Sequence, residues 1–244
     1  MKEVLISVQD ITKAYSTKGD TVRALSGITL EIYKGESVAI MGQSGSGKST
    51  LMSIIGGMNQ PTSGTVEIDG IDLYKLSQEK RADFRLKNLG FVFQQFHLIP
   101  YLTALENVML PLTTMRCSQQ KKREKAEAVL RRVGIFREMN RLPSQISGGE
   151  QERVAIARAM INDPPLILAD EPTGSLDTST GAEIMEIFQM LNKEGQTILM
   201  VTHNPLNTYF MGRTIIMKDG LLTTSEEERE IYIPLHEEPF RRTV

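Results

Sequence analysis

The chain alternates short apolar runs with segments in which apolar residues recur at helical spacing. Residues 37–41 form an almost uniformly apolar run, which is typical of a strand covered on both faces of a sheet. After a glycine-rich stretch, apolar residues recur at i, i+3, i+4 and i+7 and predict a helix with one buried face, formed by Leu51, Ile54, Ile55 and Met58. A strand, a glycine loop and an amphipathic helix are therefore expected in succession.

The remaining pattern predicts more strands and helices in alternation. Strands are expected at residues 5–8, 27–32, 64–68, 89–93, 166–169, 197–201 and 214–217. Residues 95–162 are mostly helical in pattern. Strands that alternate with helices favour an α/β core with a mainly parallel sheet.

Two of the predicted helices carry further local signals. In the helix at 121–133, Glu127 and Arg131 have the i, i+4 spacing of an ion pair, and the buried face consists of Ala126, Val129, Leu130 and Val133. Thr180 and Glu183 have the spacing of a capping box, which predicts that a helix begins there. That helix would bury Ile184, Ile187, Phe188 and Leu191.

Composition is that of an ordinary soluble domain, with 40% hydrophobic and 24% charged residues among 244. The formal net charge of −2 gives no overall positive field for nucleic acid. The charge run in 121–133 suggests nucleic-acid binding, but acids interrupt the bases, which favours a solvated helix face. The single cysteine, Cys117, excludes an internal disulfide framework and fits a reducing compartment.

The sequence contains no run near the ~20 apolar residues that cross a bilayer. No apolar signal segment follows Met1. Any membrane span needed for function is therefore expected from another chain. Residues 223–244 carry a run of acids from Glu226 onward and are expected to form a disordered or loosely docked tail.

The glycine loop has the pattern Gly42-x-x-x-x-Gly47-Lys48-Ser49 between the predicted strand and helix. This context is the one in which the pattern binds nucleotide phosphates, because glycines allow backbone N–H groups to face one anion. Lys48 would contact the β- and γ-phosphates, and the Ser49 hydroxyl would bind Mg²⁺. We call residues 42–49 the phosphate loop.

Two acids end the apolar strand at residues 166–169. Asp170 and Glu171 would lie at the carboxyl edge of a parallel sheet, where such sheets bind ligands. Asp170 is expected to hold Mg²⁺, and Glu171 to orient or deprotonate the attacking water. The alternative for such a pair, taken alone, is an exposed acidic turn.

A third motif lies some twenty residues before these acids. Ser147-Gly148-Gly149 opens a predicted helix and, as plain chemistry, is either a phosphate site or a helix-capping loop. Here the sequence resembles the ATP-binding-cassette (ABC) ATPases, whose signature is Leu-Ser-Gly-Gly-Gln, with Ile146 and Glu150 replacing the leucine and the glutamine. We call residues 146–150 the signature loop.

The resemblance spans about residues 3–220 and implies an α/β P-loop NTPase of ABC type. Its mainly parallel core sheet would be joined by an antiparallel β subdomain and an inserted helical subdomain. Residues 1–222 would form one ATPase domain, with the helical signature subdomain at 95–162 and the tail at 223–244. The cofactors implied are ATP and Mg²⁺.

Further residues match the family in order along the chain. The resemblance implies that Tyr15 stacks on adenine, although a packed tyrosine at a strand end is the alternative. Gln94 matches the glutamine that contacts Mg²⁺, with the adjacent Gln95 as the alternative assignment. Asp177 matches the loop that crosses the dimer interface, and His203 matches the switch histidine near the γ-phosphate.

The resulting candidate site divides into three groups. Catalytic roles fall to Glu171, His203, Lys48 and Gln94. The metal ligands would be Ser49, Gln94 and Asp170. Nucleotide binding is assigned to Tyr15, Gly42, Gln43, Ser44, Gly45, Ser46, Gly47, Lys48, Ser49, Thr50, Ser147, Gly148, Gly149, Glu150 and Asp177.

The resemblance also implies partners. Two copies of the chain would pack head to tail with two ATP molecules between them, each signature loop closing over the other copy's phosphate loop. The likeness is closest to the lipoprotein-releasing and macrolide-exporter ATPases, carried by residues 90–100 and 103–108. It implies a cytoplasmic subunit held peripherally on the inner face of the cell membrane through a separate permease. The alternatives are a soluble ABC ATPase and a nucleotide-sensing module without a membrane partner.

Overall fold

The computed structural model describes residues 2–17 and 20–223. The predicted tail therefore lies outside the described residues, apart from its first residue. Ten strands alternate with six α-helices in these ranges. The strands are β1 Val4–Thr17, β2 Asp20–Tyr33, β3 Ser37–Met41, β4 Ser63–Ile68, β5 Ile71–Asp72, β6 Leu89–Phe93, β7 Leu166–Asp170, β8 Thr197–Thr202, β9 Arg213–Lys218 and β10 Leu221–Thr223.

The helices fill the intervals between these strands. They are α1 Lys48–Ile55, α2 Gln78–Asn88, α3 Ala104–Met109, α4 Gln119–Arg132, α5 Gly148–Met160 and α6 Thr178–Lys193. Short 3₁₀ segments lie at Leu110–Thr114, Phe136–Glu138, Pro143–Gln145 and Pro205–Phe210. None of the helices in the described part of the chain is long and apolar enough to span a membrane.

The strands form two sheets, as the resemblance implied. A six-stranded sheet has the order β10-β9-β3-β8-β7-β6, in which only the β10–β9 pair is antiparallel. A four-stranded antiparallel sheet has the order β2-β1-β4-β5. The expected combination of a mainly parallel core and an antiparallel β subdomain is confirmed.

The six-stranded sheet separates two hydrophobic clusters. Because side chains alternate along a strand, Leu166 and Leu168 of β7 join one cluster, while Ile167 and Ala169 join the other. The first cluster contains α1 and the antiparallel sheet, and the second contains the buried faces of α3 to α6. The uniformly apolar strands are thus explained by burial on both faces.

Three local predictions were wrong. Helix α1 ends at Ile55, and Met58 is exposed, because the chain turns through Gly56 and Gly57 (φ 65°). Glu127 pairs with Arg123 at 2.8 Å, since the Arg131 guanidinium lies 3.1 Å from the centre of the Phe136 ring.

The third error concerns the start of α6. Asp177, three residues before the predicted cap Thr180, is the N-cap and accepts the Thr180 N–H at 3.0 Å. Glu183 is left free of the cap and forms an ion pair with Arg153 of α5 at 2.8 Å. A carboxylate is a strong N-cap, so it starts the helix before the weaker threonine can.

Candidate nucleotide site

The phosphate loop joins the buried strand β3 to α1 under tight steric restriction. Gly47 is the N-cap of α1 at φ 105°, and a Cβ there would lie 2.6 Å from the Ala24 carbonyl oxygen. A Cβ at Gly42 would overlap the carbonyl oxygen of Met217 on β9. Glycine is therefore required at both ends of the loop, which brings the first turn of α1, with its unpaired N–H groups, to the sheet edge.

Lys48 lies buried within this loop. Its Nζ donates hydrogen bonds to the carbonyl oxygens of Gly42 at 2.7 Å and Gln43 at 2.9 Å. Burial lowers the pKa of Lys48, while the charges of Glu171 and Asp170 oppose this shift. A partly desolvated ammonium between loop carbonyls and nearby acids suits the binding of phosphate oxygens.

The other loop residues are divided between solvent and core. Gln43, Ser44 and Gly45 are exposed, and Thr50 is half-buried on α1. Ser46 is buried, and its hydroxyl has no hydrogen-bond partner among the described residues. An unpartnered hydroxyl in a glycine-rich loop fits a site for a phosphate group, because buried polar atoms are otherwise paired.

Ser49 and Asp170 bring two hard oxygen ligands together. The Ser49 hydroxyl donates to Asp170 Oδ1 at 3.2 Å, across the gap between α1 and the end of β7. Burial raises the pKa of Asp170 and nearby Glu171 adds to the rise, whereas the Ser49 hydrogen bond opposes it. No cluster of three or more acid, histidine or cysteine ligands occurs in residues 2–17 and 20–223. This donor set fits Mg²⁺, which usually takes one or two protein ligands beside waters and phosphate oxygens.

Glu171 and His203 meet because β7 and β8 are adjacent parallel strands. Glu171 Oε2 lies 2.6 Å from His203 Nδ1, and the Glu171 backbone adopts a left-handed φ of 48°. The Glu171 N–H donates to the Val201 carbonyl at 2.9 Å, which fixes this turn onto β8. A backbone held in this sparsely populated conformation is common at functional sites. The two residues border a cleft of about 340 Å³.

A buried polar network beneath this pair was not predicted. The Asn207 Nδ2 donates to the hydroxyls of Thr173 at 2.9 Å and Thr202 at 3.0 Å. All three side chains are buried. Thr173 follows Glu171, and Thr202 precedes His203, so Asn207 links the two loops that carry the pair. The apolar pattern gives no signal for this asparagine, whose role comes from contacts distant in sequence.

The signature loop is a self-capped helix start. Ser147 is the N-cap of α5; its hydroxyl accepts the Glu150 N–H at 3.3 Å, while Glu150 accepts the Ser147 N–H at 2.7 Å. A Cβ at Gly149 would overlap Thr180 of α6, and one at Gly148 would lie 3.2 Å from Leu176. The glycines thus allow α5 to approach the loop before α6.

Gln94 contacts the loop that precedes α6. The Ser175 hydroxyl donates to the Gln94 carbonyl at 3.1 Å, and a Cβ at Gly174 would lie 2.8 Å from the Gln94 amide nitrogen. Gln95 is exposed. Asp177 caps α6, and hydrogen bonds from Ser179 and Thr180 lower its pKa.

Tyr15 lies on β1 and is 42% exposed. Its hydroxyl accepts a hydrogen bond from Asn59 Nδ2 at 2.6 Å, and Lys13 Nζ lies 5.0 Å from the ring centre.

The structure brings Lys48, Ser49, Asp170, Glu171 and His203 to one edge of the six-stranded sheet. Within residues 2–17 and 20–223, no hydrogen bond or ion pair joins the phosphate loop to the signature loop.

A glycine loop at a helix start beside a strand-end aspartate defines a phosphate-loop NTPase. The family model described as "ABC transporter" matches residues 25–174, and the chain belongs to this family of ABC transporter ATPases. It binds ATP and Mg²⁺ and hydrolyses ATP, the general activity of the family.

Two relatives illustrate the range of the family. The lipoprotein-releasing system ATP-binding protein LolD of Shewanella oneidensis is 44% identical over 93% of this chain and 99% of its own length. The macrolide export ATP-binding/permease protein MacB of Syntrophobacter fumaroxidans is 48% identical over 89% of this chain. The chain spans only 31% of the length of that MacB protein.

A solved structure agrees with the fold. The dimeric post-hydrolysis state of the ATP-binding cassette MJ0796, bound to ADP and Pi, has a TM-score of 0.83 and 44% identity. The match covers 90% of this chain and 97% of that one. The ABC fold inferred from the motifs is thereby confirmed.

Proposed function

We propose that the chain works as one half of an ATP-bound homodimer that drives a separate membrane permease. The observation that carries this proposal is that no hydrogen bond or ion pair joins its two candidate phosphate-binding loops within residues 2–17 and 20–223. The phosphate loop contacts Asp170 of its own chain. The signature loop, in contrast, forms no hydrogen bond or ion pair with the phosphate loop among the described residues. A second copy in head-to-tail orientation would bring each signature loop onto the other copy's phosphate loop.

The phosphate-loop side would supply most of the chemistry. Lys48 would bind the β- and γ-phosphates, and Ser49 and Asp170 would hold Mg²⁺ together with Gln94. Glu171 would orient or deprotonate the attacking water, and His203 would contact the γ-phosphate. The remaining loop residues and Thr50 would bind phosphate through the backbone and hydroxyl groups, and Tyr15 would stack on adenine.

The other copy would complete each site. Ser147, Gly148, Gly149 and Glu150 would contact the γ-phosphate side, and Asp177 would lie at the dimer interface. Support comes from the dimeric form described for the related cassette MJ0796. ATP would favour the closed dimer because it is bound by both copies, and hydrolysis would favour opening.

We also propose a division of the chain and a location for it. Residues 1–222 would form one ATPase domain with an inserted helical subdomain at 95–162, followed by the tail. The docking surface for a permease would be formed in part by the half-buried Phe96, Leu98 and Ile99 and the exposed Tyr101. The chain would then lie on the cytoplasmic face of the membrane. By analogy with the names of LolD and MacB, the permease would act on a lipoprotein or an exported small molecule.

Mixing two impaired variants tests the shared site. Lys48→Ala removes the phosphate-loop cation, and Ser147→Ala removes the signature hydroxyl. In a mixed dimer of the two, one site carries both changes and the other carries neither. We therefore expect ATP hydrolysis in the mixture to exceed the sum of the separate variants. Hydrolysis equal to that sum at every mixing ratio contradicts a site shared between copies.

A second experiment tests the permease. The full chain, carrying an affinity tag, is purified with detergent-solubilised membranes from its own source, with Tyr101→Glu as the matched variant. We expect a polytopic permease to co-purify with the unaltered chain and to be depleted with Tyr101→Glu. Recovery of the chain without any such protein contradicts the membrane role and leaves the ATPase activity untouched.

A further inference from the structure

The segment that follows β6 has an unusual backbone. Phe96 and His97 are consecutive non-glycine residues in the left-handed region, with φ of 58° and 48°. In this region Cβ approaches the following carbonyl oxygen, so a pair of such residues persists only when its surroundings hold it. We call residues 94–97 the glutamine segment, since it begins at Gln94.

Arg158 of α5 contacts this segment through two backbone carbonyls. One guanidinium nitrogen donates to the His97 carbonyl at 2.5 Å, and the other donates to the Phe96 carbonyl at 2.6 Å. The planar guanidinium holds two acceptors in a fixed geometry, which an ammonium cannot do. The two carbonyls that it holds belong to the two left-handed residues.

The environment of Arg158 leaves its donors free for these carbonyls. Glu152, on the same helix, is fully buried, and neither of its carboxylate oxygens has a hydrogen-bond partner in the described part of the chain. Burial raises the pKa of Glu152 well above its ordinary value, and the Arg158 charge opposes this rise. Because neither oxygen of Glu152 accepts a hydrogen bond from Arg158, this carboxyl group does not compete with the two carbonyls for the guanidinium.

The contact joins two parts of the nucleotide machinery. Arg158 lies on the helix that begins at Ser147 in the signature loop. The glutamine segment begins at Gln94, whose carbonyl is held by Ser175 in the loop before α6. In a head-to-tail dimer, the signature loop of one chain serves one ATP, while Gln94 of the same chain serves the other.

We propose that Arg158 is a positioning residue that fixes the left-handed backbone at Phe96 and His97 and thereby positions Gln94. It links the signature helix of one ATP site to the glutamine segment of the other. This inference rests on the proposed roles of Gln94 and of the shared dimer. Arg158 contacts no nucleotide in this scheme and acts through the segment that it holds.

Glycine rescue tests this role. Arg158→Lys keeps the charge but loses the paired contact, and we expect kcat for ATP hydrolysis to fall about 10-fold with KM changed less than about 3-fold. His97→Gly adopts positive φ without strain, so Arg158→Lys with His97→Gly should recover to within about 3-fold of His97→Gly alone. Arg158→Lys with His97→Ala loses the same ring but keeps Cβ, and should not recover.

Arg153→Lys is the matched control on the same helix. The Arg153 guanidinium also donates to a backbone carbonyl, that of Val133 at 2.9 Å, but away from the glutamine segment. Its kcat should stay at the unaltered value. An unchanged kcat in Arg158→Lys overturns the proposal, and so does equal recovery by His97→Gly and His97→Ala.

Two further measurements keep the test independent of folding and of the proposed function. If Arg158→Lys does not fold, His97→Asn and His97→Val are compared with Arg158 intact. Asparagine tolerates positive φ and should retain kcat, whereas valine should lower it; equal kcat values overturn the proposal. Amide exchange at Phe96 and His97 should accelerate in Arg158→Lys, and unchanged exchange overturns the proposal. A Gln94→Ala variant with normal hydrolysis would count against the role of Gln94 while the exchange result still reports on Arg158.

Discussion

The two glycine loops of this chain both begin a helix, but their surroundings differ. The phosphate loop is packed against β2 and β9, and its residues contact an acid of the same chain, from Ser49 to Asp170. The signature loop caps itself through Ser147 and Glu150, and its glycines face neighbouring α6 and the loop before it. The phosphate loop thus contacts an acid of its own chain, whereas the signature loop caps its own helix. Two glycine loops of similar local chemistry therefore differ because the fold places different neighbours beside them, and the proposed shared site assigns them to opposite halves.

The greatest loss of activity is expected when the acid on the phosphate-loop side, Glu171, is replaced. Glu171→Gln keeps size and hydrogen bonding but removes the base, so we expect hydrolysis to fall by about 10²–10³-fold while ATP binding persists. Because closure without hydrolysis traps the dimer, ATP should shift the variant to a dimer in size-exclusion chromatography. Glu186→Gln, at an exposed position on α6, is the control. A variant that stays monomeric with ATP contradicts the shared site.

The next effect tests binding at the same loop. Lys48→Ala removes a buried cation that contacts the loop carbonyls, and we expect the Kd for ATP to rise about 10- to 100-fold. Titration calorimetry measures this Kd directly. The control is Lys125→Ala, which removes a lysine that pairs with Asp163 at 2.9 Å. Near-normal ATP affinity would remove Lys48 from the binding site.

A change in the signature loop should affect the rate of hydrolysis and not the binding of ATP. Ser147→Ala should lower kcat about 10-fold and leave the Kd for ATP of the isolated chain unchanged. The change also removes a helix cap, which costs about 1 kcal/mol of stability. Ser118→Ala removes the equivalent cap of α4, where the hydroxyl accepts the Lys121 N–H at the same 3.3 Å, and so isolates the cap effect. Equal kcat in the two variants would reduce Ser147 to a cap.

A smaller effect concerns the network that holds the phosphate-loop side together. Asn207→Leu removes the amide that donates to the buried hydroxyls of Thr173 and Thr202, at a cost of about 1–3 kcal/mol in unfolding free energy. We expect kcat to fall about 3-fold as well, because Glu171 and His203 lose their common support. Denaturant unfolding and steady-state hydrolysis measure the two effects. Asn162→Ala, whose amide donates to the Leu86 carbonyl, should affect stability alone.

The mildest of these changes is a pH-dependent shift in stability. Burial raises the pKa of Asp170 above its value in the unfolded chain, so the ionised carboxylate destabilises the nucleotide-free fold. This penalty is full at neutral pH and is relieved as the pH falls through the raised pKa. Asp170→Asn should therefore raise the Tm by about 2 °C at pH 7, with a gain that shrinks toward acid pH. Asp83→Asn on the surface of α2 should show no such trend, and a gain that grows toward acid pH contradicts the assignment.

Sequence reasoning predicted what adjacent residues determine. The phosphate loop, its strand and its helix follow from glycines and apolar spacing that act within about twenty residues, and the end of β7 followed from one apolar run. Local errors arose where two local signals competed. Gly56 and Gly57 ended α1 before Met58, and Asp177 capped α6 in place of Thr180.

Residues that act across the fold were not accessible in this way. Asn207 acquires its importance from Thr173, which lies in another loop, and Arg158 from the backbone conformation of Phe96 and His97. Neither contact leaves a periodic or spacing signal, because each depends on how the sheet brings distant segments together.

The strand order also governs when the nucleotide site can form. Strand β3, which leads into the phosphate loop, pairs with β8 and β9, so Ile40 lies between Val201 and Ile215. These partners, at residues 197–202 and 213–218, are synthesised long after the phosphate loop at residues 42–49. During translation the phosphate loop therefore lacks the strands that flank β3 until β8 and β9 have left the ribosome. Nascent chains that end before β8 should not retain ATP, and a folding intermediate that lacks β8 and β9 should be the form most exposed to aggregation.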